Sequence, residues 1–273
     1  MITKLLSPLA LFLIFIFSGI ATYGQGDLMV MPKRLVFEGS ERSQEINLAN
    51  TGSDTAVYAI SFINYKMTES GNFEQVEEPE DGQRFATDFL RYFPRRVVLA
   101  PKEAQTVRVQ LTRTGNLEPG EYRSHVYFRA VEEQIALGAE EAEDSEGISI
   151  NIKTVFGISI PVIIREGEST TAINLTDITL DTEAENPKLS LLINRSGNMS
   201  VYGNFTATHI ALDGTETEVG MVKGVSVYTP NSKRSFSFEL RNAAEVDLSK
   251  GKLNITYKTE DGKVLGESQF NLN

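Results

Sequence analysis

The sequence predicts an all-β protein built from two immunoglobulin-like β-sandwiches in tandem. Three observations point there. Apolar residues recur at every second position in one segment after another, the period of a half-buried strand, and no stretch carries the period of a long helix. Turn residues punctuate these segments at short intervals. After an apolar leader about 250 residues remain, too many for one sandwich of roughly 100 and comfortable for two.

The leader comes first. Lys4 precedes an apolar run over residues 5–20, and small or polar residues follow around Ala21 and Gly24. That order predicts a cleaved export signal over residues 1–24, with cleavage after Ala21 or Gly24. The run is shorter than the roughly 20 apolar residues that span a bilayer, so no stable membrane insertion is expected. The absence of cysteine rules out a lipid-modified N-terminal Cys and any disulfide, so apolar burial must hold each domain together.

The first domain is assigned to residues 25–167. Leu35 and Phe37, then Ile46 and Leu48, mark two short strands around a turn at 38–40. A third strand is expected over 57–65, followed by a polar loop over 68–83 and a short helical or irregular piece over 86–92. Residues 96–99 form a short strand closed by Pro101. Val107, Val109 and Leu111 then alternate with polar neighbours. In the strand over 121–131, Tyr122, Ser124, Val126, Phe128 and Ala130 share one face. Residues 134–147 are the most acidic segment and read as a solvated loop.

The most informative feature follows that loop. Ile148, Ile150, Ile152, Thr154, Phe156, Ile158, Ile160, Val162 and Ile164 alternate with other residues over one very long strand. Strands typically run about 5 or 6 residues, so this one exceeds what a small sandwich needs. Pro161 lacks an N–H and belongs on an edge or at a bulge. Ile158, Ile160, Val162 and Ile164 are assigned mainly to the core or the domain junction. Ile148, Ile150 and Ile152 are assigned to strand addition, in which a partner strand pairs along a sheet edge. Residues 165–169 read as the hinge. The second domain, 168–273, has candidate strands over 172–180, 189–194, 200–212, 219–227, 234–240, 252–257 and 264–270.

Composition excludes several functions. A formal charge of −11 supplies no overall positive field for a nucleic-acid backbone. His125 and His209 are the only histidines, so no metal site and no cofactor is expected. There is no Gly-rich nucleotide loop and no Gly-x-Ser-x-Gly elbow, and His125 reads as a surface or rim residue. Nothing points to an enzyme.

Several segments resemble one family. Residues 32–37 (Pro-Lys-Arg-Leu-Val-Phe), 46–52 (Ile-Asn-Leu-Ala-Asn-Thr-Gly), 94–101, 105–109 and 121–128 are similar, in order, to the periplasmic pilus-assembly chaperones of the PapD-like kind. The resemblance is close over the first domain and loose over the second. It implies a boomerang of two Ig-like domains whose long strand completes a pilin-like or other β-rich exported subunit, with an outer-membrane usher as a further partner. It also implies two basic residues that hold the subunit's C-terminal carboxylate. Arg34 matches the first, and its planar fork suits a carboxylate. The second should be a lysine near the end of the long strand, where this chain has Pro161. Lys153 lies eight residues upstream. Arg123 or Arg129 of the neighbouring strand is then the candidate for the second charge. The expectation is a periplasmic, ATP-independent chaperone; the alternative is a non-catalytic envelope structural or adaptor protein with one fixed partner.

Overall fold

A computed structural model describes residues 28–131, 156–183 and 186–272. The export signal, the acidic loop, Lys153 and the upstream half of the long strand, with Ile148, Ile150 and Ile152, lie outside the described residues. Ten strands form the first sandwich: β1 (Leu28–Met31), β2 (Leu35–Phe37), β3 (Ser43–Asn50), β4 (Ala56–Met67), β5 (Phe73–Val76), β6 (Leu90–Phe93), β7 (Arg96–Leu99), β8 (Ala104–Leu111), β9 (Gly120–Ala130) and β10 (Gly157–Glu166). Seven form the second: β11 (Ala172–Asp181), β12 (Lys188–Ser196), β13 (Val201–Ile210), β14 (Glu216–Val227), β15 (Lys233–Glu239), β16 (Lys252–Lys258) and β17 (Val264–Asn271). Among the described residues no helix is long and apolar enough to cross a membrane.

In the first sandwich a sheet ordered β1-β3-β8-β6 packs on one ordered β2-β10-β9-β4-β5, with β7 also paired to β4. The alternation legible in the sequence is the alternation of burial. Val107, Val109 and Leu111 of β8 face Val126 and Phe128 of β9 and Ile160, Val162 and Ile164 of β10 in one buried cluster. β2 and β3 flank the expected turn but belong to different sheets, so the chain crosses the sandwich there instead of making a hairpin. The second sandwich pairs β11-β12-β15 with β14-β13-β16-β17 around its own core of Leu189, Ile193, Phe205, Leu253 and Tyr257.

Two expectations need correcting. The polar stretch over 68–83 is not all loop, because β5 pairs antiparallel with the end of β4 and forms a hairpin. His125 is not at the rim: it is 4% exposed and packs edge-on to Tyr65 at 5.0 Å between ring centroids. Its backbone alternates with the core residues, so its ring faces the other side of the sheet, and the β4–β5 hairpin and the second sandwich cover that side.

Candidate functional site

The ladder around β10 sets the geometry. Ala130 donates to the carbonyl of Phe156, which marks Phe156 and Ala130 as a hydrogen-bonded antiparallel pair. Bonded and non-bonded pairs alternate. The pairs Gly157/Arg129, Ser159/Tyr127 and Pro161/His125 are therefore non-bonded, and their β10 backbone groups point to the opposite edge. Pro161 thus removes no bond from the β9 ladder. On that opposite edge β2 pairs only with Val162, Ile163 and Ile164, in parallel. Among the described residues no strand pairs with residues 157–160 there. The open edge carries the N–H and C=O of Gly157 and Ser159, while the Pro161 carbonyl, one residue before the Val162/Leu35 pair of a parallel ladder, accepts from Leu35.

The edge runs into a cleft between the two sandwiches, of about 260 Å³. Val162 lies opposite Leu35, so Arg34 is placed level with Pro161, and both line the cleft. Lys33, Arg123, Arg165 and Arg234 line it as well, concentrating positive charge on a protein that is acidic as a whole.

One carboxylate answers part of this charge. Glu121, with its side chain fully buried, accepts from Arg123 Nε at 3.2 Å and Arg165 Nε at 3.3 Å. From the second sandwich it accepts the Ser200 amide at 3.0 Å and the Ser200 hydroxyl at 2.5 Å. Burial alone would push the Glu121 carboxyl up, but the Arg123 charge, the Ser200 hydroxyl and Arg165 outweigh it and hold the group below its usual range. Arg165 also pairs with Glu38 at 2.9 Å and donates to the Ser200 carbonyl. Glu121 therefore ties the end of β10 to the second sandwich.

The β4–β5 hairpin forms another wall. Asn231 donates to the Met67 carbonyl, and the Ser235 amide donates to that of Glu69 at 2.8 Å. Phe73 packs on Tyr228 at 5.3 Å between centroids. Gly71 sits in the turn at φ +85°, and a Cβ there would come within 2.4 Å of the Arg234 guanidinium. Glycine serves both the left-handed backbone and the close approach.

The sequence-predicted candidates separate cleanly. Arg34 is in the cleft, half-buried, with its guanidinium carbon 3.2 Å from the centroid of the Tyr202 ring. Arg123 is also there, but it is buried, bonded to Glu121 and stacked 3.4 Å over the Tyr228 ring. Arg129 lies opposite Gly157 at the far end of β9 and is exposed. Six residues of strand, about 20 Å, separate it from Arg123, and it does not line the cleft. Arg165 and Arg234 were not singled out from the sequence. Arg165 ends the alternating strand, a signal that was legible, whereas nothing local marks Arg234. Among the described residues no group of three or more His, Asp or Glu could hold a metal ion.

No family model matches the chain, and no curated protein matches it. Solved structures resemble it distantly. The class 5 fimbriae chaperone CfaA is 13% identical over 90% of this chain and 99% of its own, with a TM-score of 0.46. The Pseudomonas aeruginosa CupB2 chaperone is 12% identical over 90% and 100%, with a TM-score of 0.44. The E. coli chaperone DraB is 13% identical over 90% and 96%, with a TM-score of 0.43.

Proposed function

We propose that this protein is a periplasmic, ATP-independent chaperone that binds exported β-rich subunits by strand addition along β10. The observation that carries this reading is the edge over residues 157–160, with which no strand among the described residues pairs and which ends beside a cationic cleft. An exposed sheet edge invites pairing with another chain, and backbone bonds to Gly157 and Ser159 would supply affinity without demanding one client sequence. Upstream, Ile148, Ile150 and Ile152 would extend the same face toward the client.

The cleft gives the client strand a direction. β2 occupies the β10 edge from Val162 onward, so an added strand lies before Leu35 and its leading end meets Arg34. If that end is the C-terminal carboxylate, the client runs parallel to β10. Arg34 has no carboxylate partner among the described residues, so its fork is available for that group.

The test uses a soluble acetylated peptide with a dilysine leader, alternating valine and threonine, and a free C-terminal carboxylate. Wild-type protein should bind it. Ser159→Pro removes a donor from the open edge while leaving the β9 ladder intact, as Pro161 already does two residues on, and should abolish binding. Arg34→Ala should weaken it, and Ile150→Asp should reduce co-purification of a β-rich subunit from the periplasm. Melting curves establish that each variant is folded. Undiminished binding by folded Ser159→Pro and Arg34→Ala would overturn the proposal.

A further inference from the structure

Two guanidinium groups of the cleft converge on one spot of the second sandwich. Arg34 lies on the ring of Tyr202 in β13. Arg234, from β15, donates Nη1 to the carbonyl of Ser226 in β14. Tyr202 and Ser226 are directly opposed residues of the β13/β14 ladder, and opposed residues in an antiparallel pair stand about 5 Å apart. The Tyr257 hydroxyl beneath them registers both charges. Burial pushes its pKa up, and Arg234 and then Arg34 pull it part of the way back.

Arg234 is only partly compensated there, by the Ser226 carbonyl and by the Phe236 ring 5.6 Å from its guanidinium carbon. Its Nε is buried without a hydrogen-bond partner, and among the described residues no carboxylate pairs with it. Burial shifts its guanidinium below the ordinary value. A half-buried cation without an anion is incompletely compensated, and a bound anion would relieve it. Arg123 and Arg165 already have carboxylate partners, Glu121 for both and Glu38 for Arg165 as well. Among the described residues, Lys33, Arg34 and Arg234 line the cleft without a carboxylate partner; Lys33 is solvent-exposed, whereas Arg34 and Arg234 are half-buried, one contributed by each sandwich.

We infer that Arg234 is the second cation of the carboxylate site, so that an anchored C-terminus bridges the two sandwiches. This rests on the proposed strand-addition reading and goes beyond it. The position on β10 where a second cation is expected holds Pro161, and the charge enters instead from the second domain. Client capture then depends on the relative placement of the domains, which Glu121 holds by bonding Arg123, Arg165 and Ser200.

The experiment compares the free-acid peptide described above with its C-terminal amide by calorimetric titration. Wild-type protein should favour the acid about tenfold or more, the size of a charge-assisted hydrogen bond. Arg234→Gln should bring acid and amide within about twofold while still binding the amide as wild type does, and Arg234→Lys should restore most of the preference. A general structural role for Arg234 would weaken both peptides equally and would overturn the inference. Full acid preference in Arg234→Gln would also overturn it, while leaving strand addition and the Arg34 anchor standing. Absence of acid preference in wild type would overturn the carboxylate site altogether.

Discussion

The guanidinium of Arg34, the residue before β2, sits over the ring of Tyr202, its carbon 3.2 Å from the centroid. A residue of the first sandwich is thereby oriented by an aromatic face of the second. Cation–π contacts of this kind contribute about 0.5–2 kcal/mol, enough to align the fork without consuming its N–H donors. Tyr202→Leu is expected to leave the fold intact, lowering stability by about 1 kcal/mol, and to weaken free-acid peptide binding more than amide binding. Equal losses for the two peptides would show that Tyr202 does not position Arg34.

Glu121 should be the most damaging single charge to remove. Glu121→Gln leaves Arg123 and Arg165 in the junction without their shared carboxylate, and breaking a buried pair typically costs about 3–5 kcal/mol. Urea unfolding should shift to lower denaturant and separate into two transitions as the sandwiches uncouple. A single, unshifted transition would contradict this role.

The same carboxylate has a pH signature. Its pKa in the folded protein lies below the ordinary value of 4.5, so the unfolded chain takes up the proton first on acidification. The stability it contributes is present above about pH 4.5 and is lost as the pH falls through the folded value. Glu121→Gln should flatten the acid limb of the stability profile below pH 4.5.

His125 acts in a different window. Burial, and then the Arg123 charge, lower its pKa from 6.5 to about 3. Between these values the unfolded state binds the extra proton, so stability falls as pH drops from 6.5 towards 3, by up to about 1.4 kcal/mol per pH unit. His125→Phe, placed among Tyr65, Phe73 and Tyr228, should remove that slope without lowering stability at pH 7. Denaturant unfolding at pH 7, 6 and 5 decides it, and parallel slopes in the two proteins would refute the assignment.

Arg195 carries the loop that presents Tyr228. Its guanidinium donates to the carbonyls of Gly197, Met199, Pro230 and Asn231. Arg195→Ala strands these acceptors, and each buried unmet group costs about 1–3 kcal/mol. The variant should melt well below wild type and lose peptide binding; an unchanged melting temperature would mean that water replaces the arginine.

What the sequence determined by itself was the local periodicity. Alternation placed β8, β9, β10 and all seven strands of the second sandwich, and it assigned Ile160, Val162 and Ile164 to the core, because side-chain direction along a strand repeats every two residues. The family resemblance, and not the alternation, marked Arg34 and the place where Pro161 stands for an expected lysine. β5 escaped because Phe-Glu-Gln-Val offers too short and polar a pattern to stand out, and its placement depends on pairing with β4 and on Tyr228 of the second sandwich packing against one side of Phe73. Only the tertiary structure decided the rest: that Arg123 is occupied by Glu121, that Arg129 lies at the far end of β9 from the cleft, and that Arg34 and Arg234 rest on opposed residues of the β13/β14 ladder. Charge pairing acts through space between segments far apart in the chain, and no local pattern records which partner each charge will find.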